Sequence, residues 1–256
     1  MRRWVLWAVI GVVGAVALVY GGIVLWTKVI NPPEEALDEG DLSERLAETS
    51  TLAPDAPVDP TVTEATTSTL PTEDTTSATE ATSDVEGTWV AAPDSELGYR
   101  VPEVLGGVDT EGVGRTNQVE GSITLEGTTV TAAEFVVDVA SITSDQARRD
   151  SQFSGRIMDT ATYPTASFVL TEPIELGSIP AEGEQVTVTA TGELTLRGTT
   201  QTVTFELTAE YANGRIGVFG NIPVVFADYG IPNPSNAFVT TGDEGLLEFI
   251  LLFDRS

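Results

Sequence analysis

From residue 87 onward the chain is written in short runs that alternate apolar and polar residues, and this alternation limits the fold more than any other feature. Residues 133–140 read Ala-Glu-Phe-Val-Val-Asp-Val-Ala, which sets Phe135, Val137 and Val139 on one face. Residues 186–196 and 202–211 alternate apolar residues with Thr or Glu over most of their length. Successive side chains of a strand point to opposite faces, so a period of two rich in Val, Thr and Phe predicts half-buried antiparallel strands. Turn residues separate the runs: Glu126-Gly127, Arg197-Gly198 and Asn213-Gly214, the last well suited to a two-residue hairpin turn. At least seven such strands precede a closing apolar run at residues 246–253. Many short, regularly spaced strands predict an all-β sandwich or barrel.

Residues 144–160 break the alternation. There Asp145, followed by Gln146-Ala147-Arg148-Arg149, predicts a helical insertion with Asp145 as its N-cap.

The first 86 residues are of another kind. After Met1-Arg2-Arg3, residues 4–26 are apolar and carry no charge. At about 1.5 Å per residue a helix of this length spans a hydrocarbon core of roughly 30 Å. A cleaved signal peptide has a shorter apolar core and a small-residue cleavage site, and the exit Leu25-Trp26-Thr27-Lys28 offers no such site. Trp4, Trp7, Tyr20 and Trp26 suit the two interfaces. Residues 1–30 are therefore expected to form a transmembrane signal anchor. Arg2 and Arg3 outweigh Lys28, which predicts a cytoplasmic N-terminus and an extracytoplasmic C-terminal domain, at a bacterial cell surface or periplasm-equivalent.

Residues 31–86 are acidic and rich in Thr, Ser and Pro, with almost no aromatic residue. Such a segment buries too little apolar surface to offset its conformational entropy, so a disordered tether is expected. Within it Leu37, Leu42 and Leu46 recur at helical spacing and could support a turn or two. Residues 61–83 have the composition of an O-glycosylated stalk, and equally of a plain spacer. The folded domain is then residues 87–256.

Composition removes much chemistry. There is no Cys and no His, and the single Lys is Lys28. Cys and Ser–His nucleophiles, Fe–S clusters and the commonest zinc sites are thereby excluded. No cofactor, metal site or catalytic residue is expected; a paired-carboxylate hydrolase is the one enzymatic alternative, and no segment favours a particular pair. The net charge of −27 argues against nucleic acid as a partner.

Five pieces in order resemble one family. They are Trp89 with Ser95-x-x-x-Tyr99-x-Val101; Ser141-Ile142-Thr143-Ser144-Asp145 with Arg149-Asp150; Tyr163-Pro164-Thr165-Ala166-Ser167-Phe168; Gly192-Glu193-Leu194-Thr195-Leu196-Arg197-Gly198-Thr199-Thr200; and Phe226-Ala227-Asp228-Tyr229-Gly230-Ile231. Together these resemble the YceI-like family. The resemblance implies a lipocalin-like, eight-stranded antiparallel β-barrel with a short helical crossover, some of whose members hold a polyisoprenoid or another long-chain lipid. Family members often carry His near the opening strand and after the Arg-Asp pair; here those places read Asp94-Ser95 and Ser151-Gln152.

A barrel of about eight strands has room for one small ligand or for a solid packing of side chains. The expected inward positions are Phe135, Val137, Phe168, Leu170, Leu194, Phe205, Leu207, Phe249 and Leu251, with no carboxylate or amine converging among them. They predict a cavity for a polyisoprenoid-like lipid in a carrier, storage or sensing protein tethered through residues 4–26. The alternative is an envelope interaction or structural module with a filled barrel and no ligand. The sequence names no protein partner.

Overall fold

The structure, a computed structural model, describes residues 2–48 and 85–256, with the backbone alone for residues 2–10, 12 and 13. The alternating region forms strands β1 (Gly87–Ala91), β2 (Glu96–Leu105), β3 (Val108–Thr116), β4 (Val119–Glu126), β5 (Thr129–Asp138), β6 (Thr143–Ser144), β7 (Thr165–Leu170), β8 (Ile174–Glu175), β9 (Gln185–Leu196), β10 (Thr199–Ala212), β11 (Arg215–Val225), β12 (Val239–Thr241) and β13 (Glu244–Arg255). Every pairing is antiparallel. The order β1-β4-β5-β7-β9-β10-β11-β13 makes an eight-stranded ring, which closes where Trp89 of β1 meets Arg255 of β13.

β13 changes partner halfway along its length. Its second half pairs with β1, while its first half pairs with β2, Leu246 opposite Arg100 and Ile250 opposite Glu96. At the changeover Ala92 N–H donates to the Leu252 carbonyl at 2.7 Å. Buried Ser95 Oγ accepts from Leu252 N–H at 3.0 Å and donates to the Leu252 carbonyl at 3.2 Å, so both backbone groups of Leu252 are paired where the ladder breaks. The hairpins at Arg197-Gly198 and Asn213-Gly214 follow their turn chemistry, with positive φ at all four residues.

A helical crossover follows β5: a 3-10 turn at Val139–Ser141, β6, helix α3 (Ala147–Gln152) and a π-helical turn at Phe153–Ile157. The N-cap is Gln146, not the expected Asp145. The Asp145 carboxylate is taken instead by Arg149, one turn on, and by the Asn31 amide. Asp150 holds the entry, accepting from Ser144 N–H at 2.8 Å and Ser144 Oγ at 2.6 Å.

At the N-terminus, α1 (Arg2–Leu25) continues into a π-helical turn, Trp26–Ile30. Among the described residues no helix is long and apolar enough to cross a membrane, the expected span lying partly where only the backbone is described. The tether expected over residues 31–86 is not structureless in its first part. Residues 34–48 form a strap that includes helix α2 (Glu39–Glu48), opened by the Asp38 carboxylate accepting from Gly40 and Asp41 N–H at 2.7 and 3.0 Å. Leu37, Leu42 and Leu46 pack on Ala92, Ile250 and Leu252 on the outside of the barrel, and Leu42, Leu46, Ile250 and Leu252 are all 0 % exposed. Burying these side chains supplies the apolar energy that the composition of the whole tether lacks. The remainder, residues 49–84 with the expected stalk, lies outside the described residues.

Charged groups fix the strap beside this contact. Glu248, 1 % exposed on the outer face of β13, accepts from Arg100 Nε at 3.1 Å and Arg115 Nη2 at 2.7 Å. The same two guanidinium groups donate to strap carbonyls, Arg100 to Glu34 and Glu35 and Arg115 to Glu35. Arg45 of α2 pairs with Glu96.

Candidate ligand-binding cavity

The inner faces of the ring enclose a cavity of about 290 Å³. They meet in two places, where Trp89 of β1 reaches Tyr211 of β10 at 6.1 Å between ring centroids and Phe135 of β5 reaches Phe253 of β13 at 5.7 Å. Phe135 and Val137 reach it from β5, Phe168 and Leu170 from β7, Leu194 from β9, Phe205 and Leu207 from β10, and Phe249 and Leu251 from β13. All nine positions named from the alternation therefore stand on one continuous wall.

Close approach to glycine keeps the large rings against that wall. Phe249 of β13 is paired with Gly220 of β11, and a Cβ on Gly220 would lie 2.5 Å from its ring. Phe135 likewise lies across Gly121, Tyr99 across Gly114, and Phe168 against Gly192. An aromatic ring laid over a cross-strand glycine fills the space beside the backbone and leaves the lumen open. Phe205 sits between Phe168 and Phe249, edge-on to both, with centroids 5.6 and 6.1 Å apart.

Sequence reasoning missed three parts of the wall. The crossover contributes Phe153, Ile157 and Met158, Phe153 stacking on Tyr99 at 4.7 Å. The loop after β11 contributes Phe226, Ile231 and Pro234. The expectation of a lining without charge is also corrected, since Glu103 and Arg149 border the cavity, while Glu210 turns its carboxylate outward to Ser43 of the strap. Arg149 arrives from a helix, where the period of two gives no guidance, whereas Glu103 continues the inward alternation of Leu97, Tyr99 and Val101 in β2. The Arg149-Asp150 pair was a visible signal, but its partner Glu103, 3.7 Å from Arg149, is distant in sequence.

The polar end is a strained electrostatic compromise. Burial pushes the Glu103 carboxyl above its ordinary range, the Arg149 guanidinium opposes that, and Asp145 adds to it. Burial also pushes the Tyr99 phenol well above its ordinary value, so it stays neutral. Arg149 divides its charge between Glu103 and Asp145. The wall thus combines a long apolar tube with one small patch able to exchange hydrogen bonds. That suits an extended apolar molecule with at most a small polar end.

Among the described residues no group of three or more His, Cys, Asp and Glu is placed to hold a metal ion. Asp228 and Tyr229 belong to a 3-10 turn, with Tyr229 buried. Trp89, 1 % exposed, donates its indole N–H to the Val85 carbonyl at 2.9 Å and packs in the core.

A closed antiparallel barrel around an apolar cavity, with a helical crossover, is a lipocalin-like barrel in architecture. Compared with known families, residues 89–253 match the YceI-like domain, and the chain belongs to that family. It is similar to a UPF0312 protein of Pseudomonas putida (strain W619), 31% identical over 130 residues that cover 47% of this chain and 64% of the relative. A UPF0312 protein of Vibrio parahaemolyticus is 29% identical over 46% of this chain and, again, 64% of its own length. The match thus spans less than two thirds of these relatives. Among solved structures, a polyisoprenoid binding domain from Saccharophagus degradans, implicated in plant cell wall breakdown, has the same fold with a TM-score of 0.54. It is 18% identical and covers 67% of this chain and 99% of its own.

Proposed function

We propose that this protein is a membrane-anchored, extracytoplasmic binding protein for a long-chain, polyisoprenoid-like lipid, which it carries, stores or senses. The observation that carries this reading is the open apolar tube, held open by rings lying on glycines. A solid core would bring those rings to the centre. Each Å² of apolar ligand surface removed from water contributes roughly 25 cal/mol, so a prenyl chain in such a tube needs little polar help. The fold shared with a polyisoprenoid binding domain supports the ligand class. The charge-free run at residues 4–26, helical in backbone, and the two arginines before it support the anchor and its orientation.

Native mass spectrometry of the full chain, extracted gently from its own membrane, tests the ligand. The expected spectrum shows the protein with one long-chain lipid, lost on activation in the gas phase. A chain that emerges bare, and that does not take up a fluorescent polyprenol when offered one, would overturn the carrier reading.

A further inference from the structure

If α1 is a membrane anchor, the barrel does not hang on a loose cord. The last turn of α1 rests on the β2–β3 hairpin: a Cβ on Gly106 would lie 2.7 Å from Ile23 Cδ1. One turn further, Thr27 is 3 % exposed. Asn31, six residues past Leu25, already donates to Asp145. The strap then climbs the barrel wall away from this end, and the Leu46 carbonyl is held at 3.1 Å by Asn213 in the β10–β11 hairpin at the opposite end. In a spanning helix the turn at Ile23 lies at the edge of the hydrocarbon, between the half-exposed rings of Tyr20 and Trp26.

The same end carries the most exposed aromatic side chain of the barrel. Phe238 is 72 % exposed, and the next residue, Val239, pairs with Leu105 beside the β2–β3 hairpin. Val104 and Val225 are exposed nearby. A large apolar side chain standing in water on an otherwise acidic chain is a poor solution for solubility and a good one for an interface.

Resting on the anchor reading above, we propose that this end of the barrel sits on the bilayer that holds α1, with Phe238 entering the lipid interface and the strap clamping the barrel in that orientation. The occupant of the exposed apolar end is a lipid surface. Phe238 belongs to the connection that supplies Phe226, Ile231 and Pro234 to the cavity wall, so one element touches both the bilayer and the lumen. An apolar chain then passes from membrane to cavity with little exposure to water.

The absence of cysteine makes the test direct. The full chain is reconstituted in phosphatidylcholine vesicles containing nitroxide-labelled phosphatidylcholine, with one fluorophore on Ala237→Cys or, as the control at the far end, on Glu126→Cys. The expected result is that the chain floats with the vesicles, the probe at position 237 loses most of its emission, and the probe at 126 keeps its own. In Leu42→Asp/Leu46→Asp the chain still floats but quenching at 237 is lost. A chain that does not float defeats the anchor reading and this one with it. A chain that floats with both probes unquenched defeats only the docked orientation. Quenching at 237 that persists in the strap-broken chain overturns the clamping role of the strap.

Discussion

Phe205 is the residue at which an open tube and a solid core behave differently. It lies edge-on to two other rings at the lumen, each of which is backed by a glycine. Because space remains beside it, Phe205→Trp is expected to consume cavity volume, weaken binding of a fluorescent polyprenol at least tenfold and leave Tm nearly unchanged. In a filled barrel the same change is overpacking, which costs about 1–3 kcal/mol. Thermal melting and polyprenol titration on the same samples separate the two. At this scale the nine wall positions were legible because a period of two sorts a strand's residues by face. The meeting of Glu103 with Arg149 was not, since it depends on where a helix is laid against a strand end.

The strap shows what a composition argument overlooks in a single element. The tether lacks a core-forming pattern, which predicts that deleting Asn31–Asp84 leaves the melting of the domain unchanged. The structure leads to the opposite expectation for residues 34–48. Leu42→Ala empties a fully buried site and should cost about 2–5 kcal/mol of stability, read by denaturant unfolding of the full chain. The sequence held a clue in β13, where Phe249, Ile250, Leu251, Leu252 and Phe253 run without alternation. Strands apolar on both faces are covered on both faces. Gly217 is a second trace, since a Cβ there would lie 2.6 Å from Leu42 Cδ1.

The strap is also expected to be acid-sensitive. Burial would raise the Glu96 carboxyl, but hydrogen bonds from Arg45 and Arg115 outweigh it and hold the group below its ordinary value of 4.5. A carboxylate lowered in this way stabilises the fold fully above 4.5, and that contribution is lost as pH falls through the folded value. Glu103, raised by burial, has the opposite sign and does not contribute to release on acidification. Protection of the α2 amides against hydrogen exchange, relative to their intrinsic rates at each pH, should therefore fall below pH 4.5, and Glu96→Gln should show the lower protection already at neutral pH. Exchange in α2 that is indifferent to both changes would remove the Arg45–Glu96 pair from the docking energy.

For the whole molecule, the strap changes the expected outcome of a topology experiment. A protease site inserted among residues 61–83 should be cut by protease added outside intact cells or spheroplasts. Protection would reverse the orientation proposed for the anchor. After cutting, the strap stays with the membrane helix while the barrel begins at residue 85, so only non-covalent contacts join them. The barrel fragment is expected to sediment with membranes and to wash off in Leu42→Asp/Leu46→Asp.

The sequence by itself determined the class of element at each place: strands where apolar and polar residues alternate, turns at Arg197-Gly198 and Asn213-Gly214, and a helical crossover where alternation stops. It also determined which chemistry the chain lacks. These features are local, written by the preferences of neighbouring residues for one face or one φ. The tertiary structure alone decided that the ring closes at Trp89 and Arg255, that β13 divides between two partners, and that rings settle over glycines on other strands to leave a tube. It alone seated a helix from the acidic segment on the barrel's outer wall. Each of these joins surfaces far apart in the chain, and their fit depends on shapes that exist only once the sheet has curled and closed.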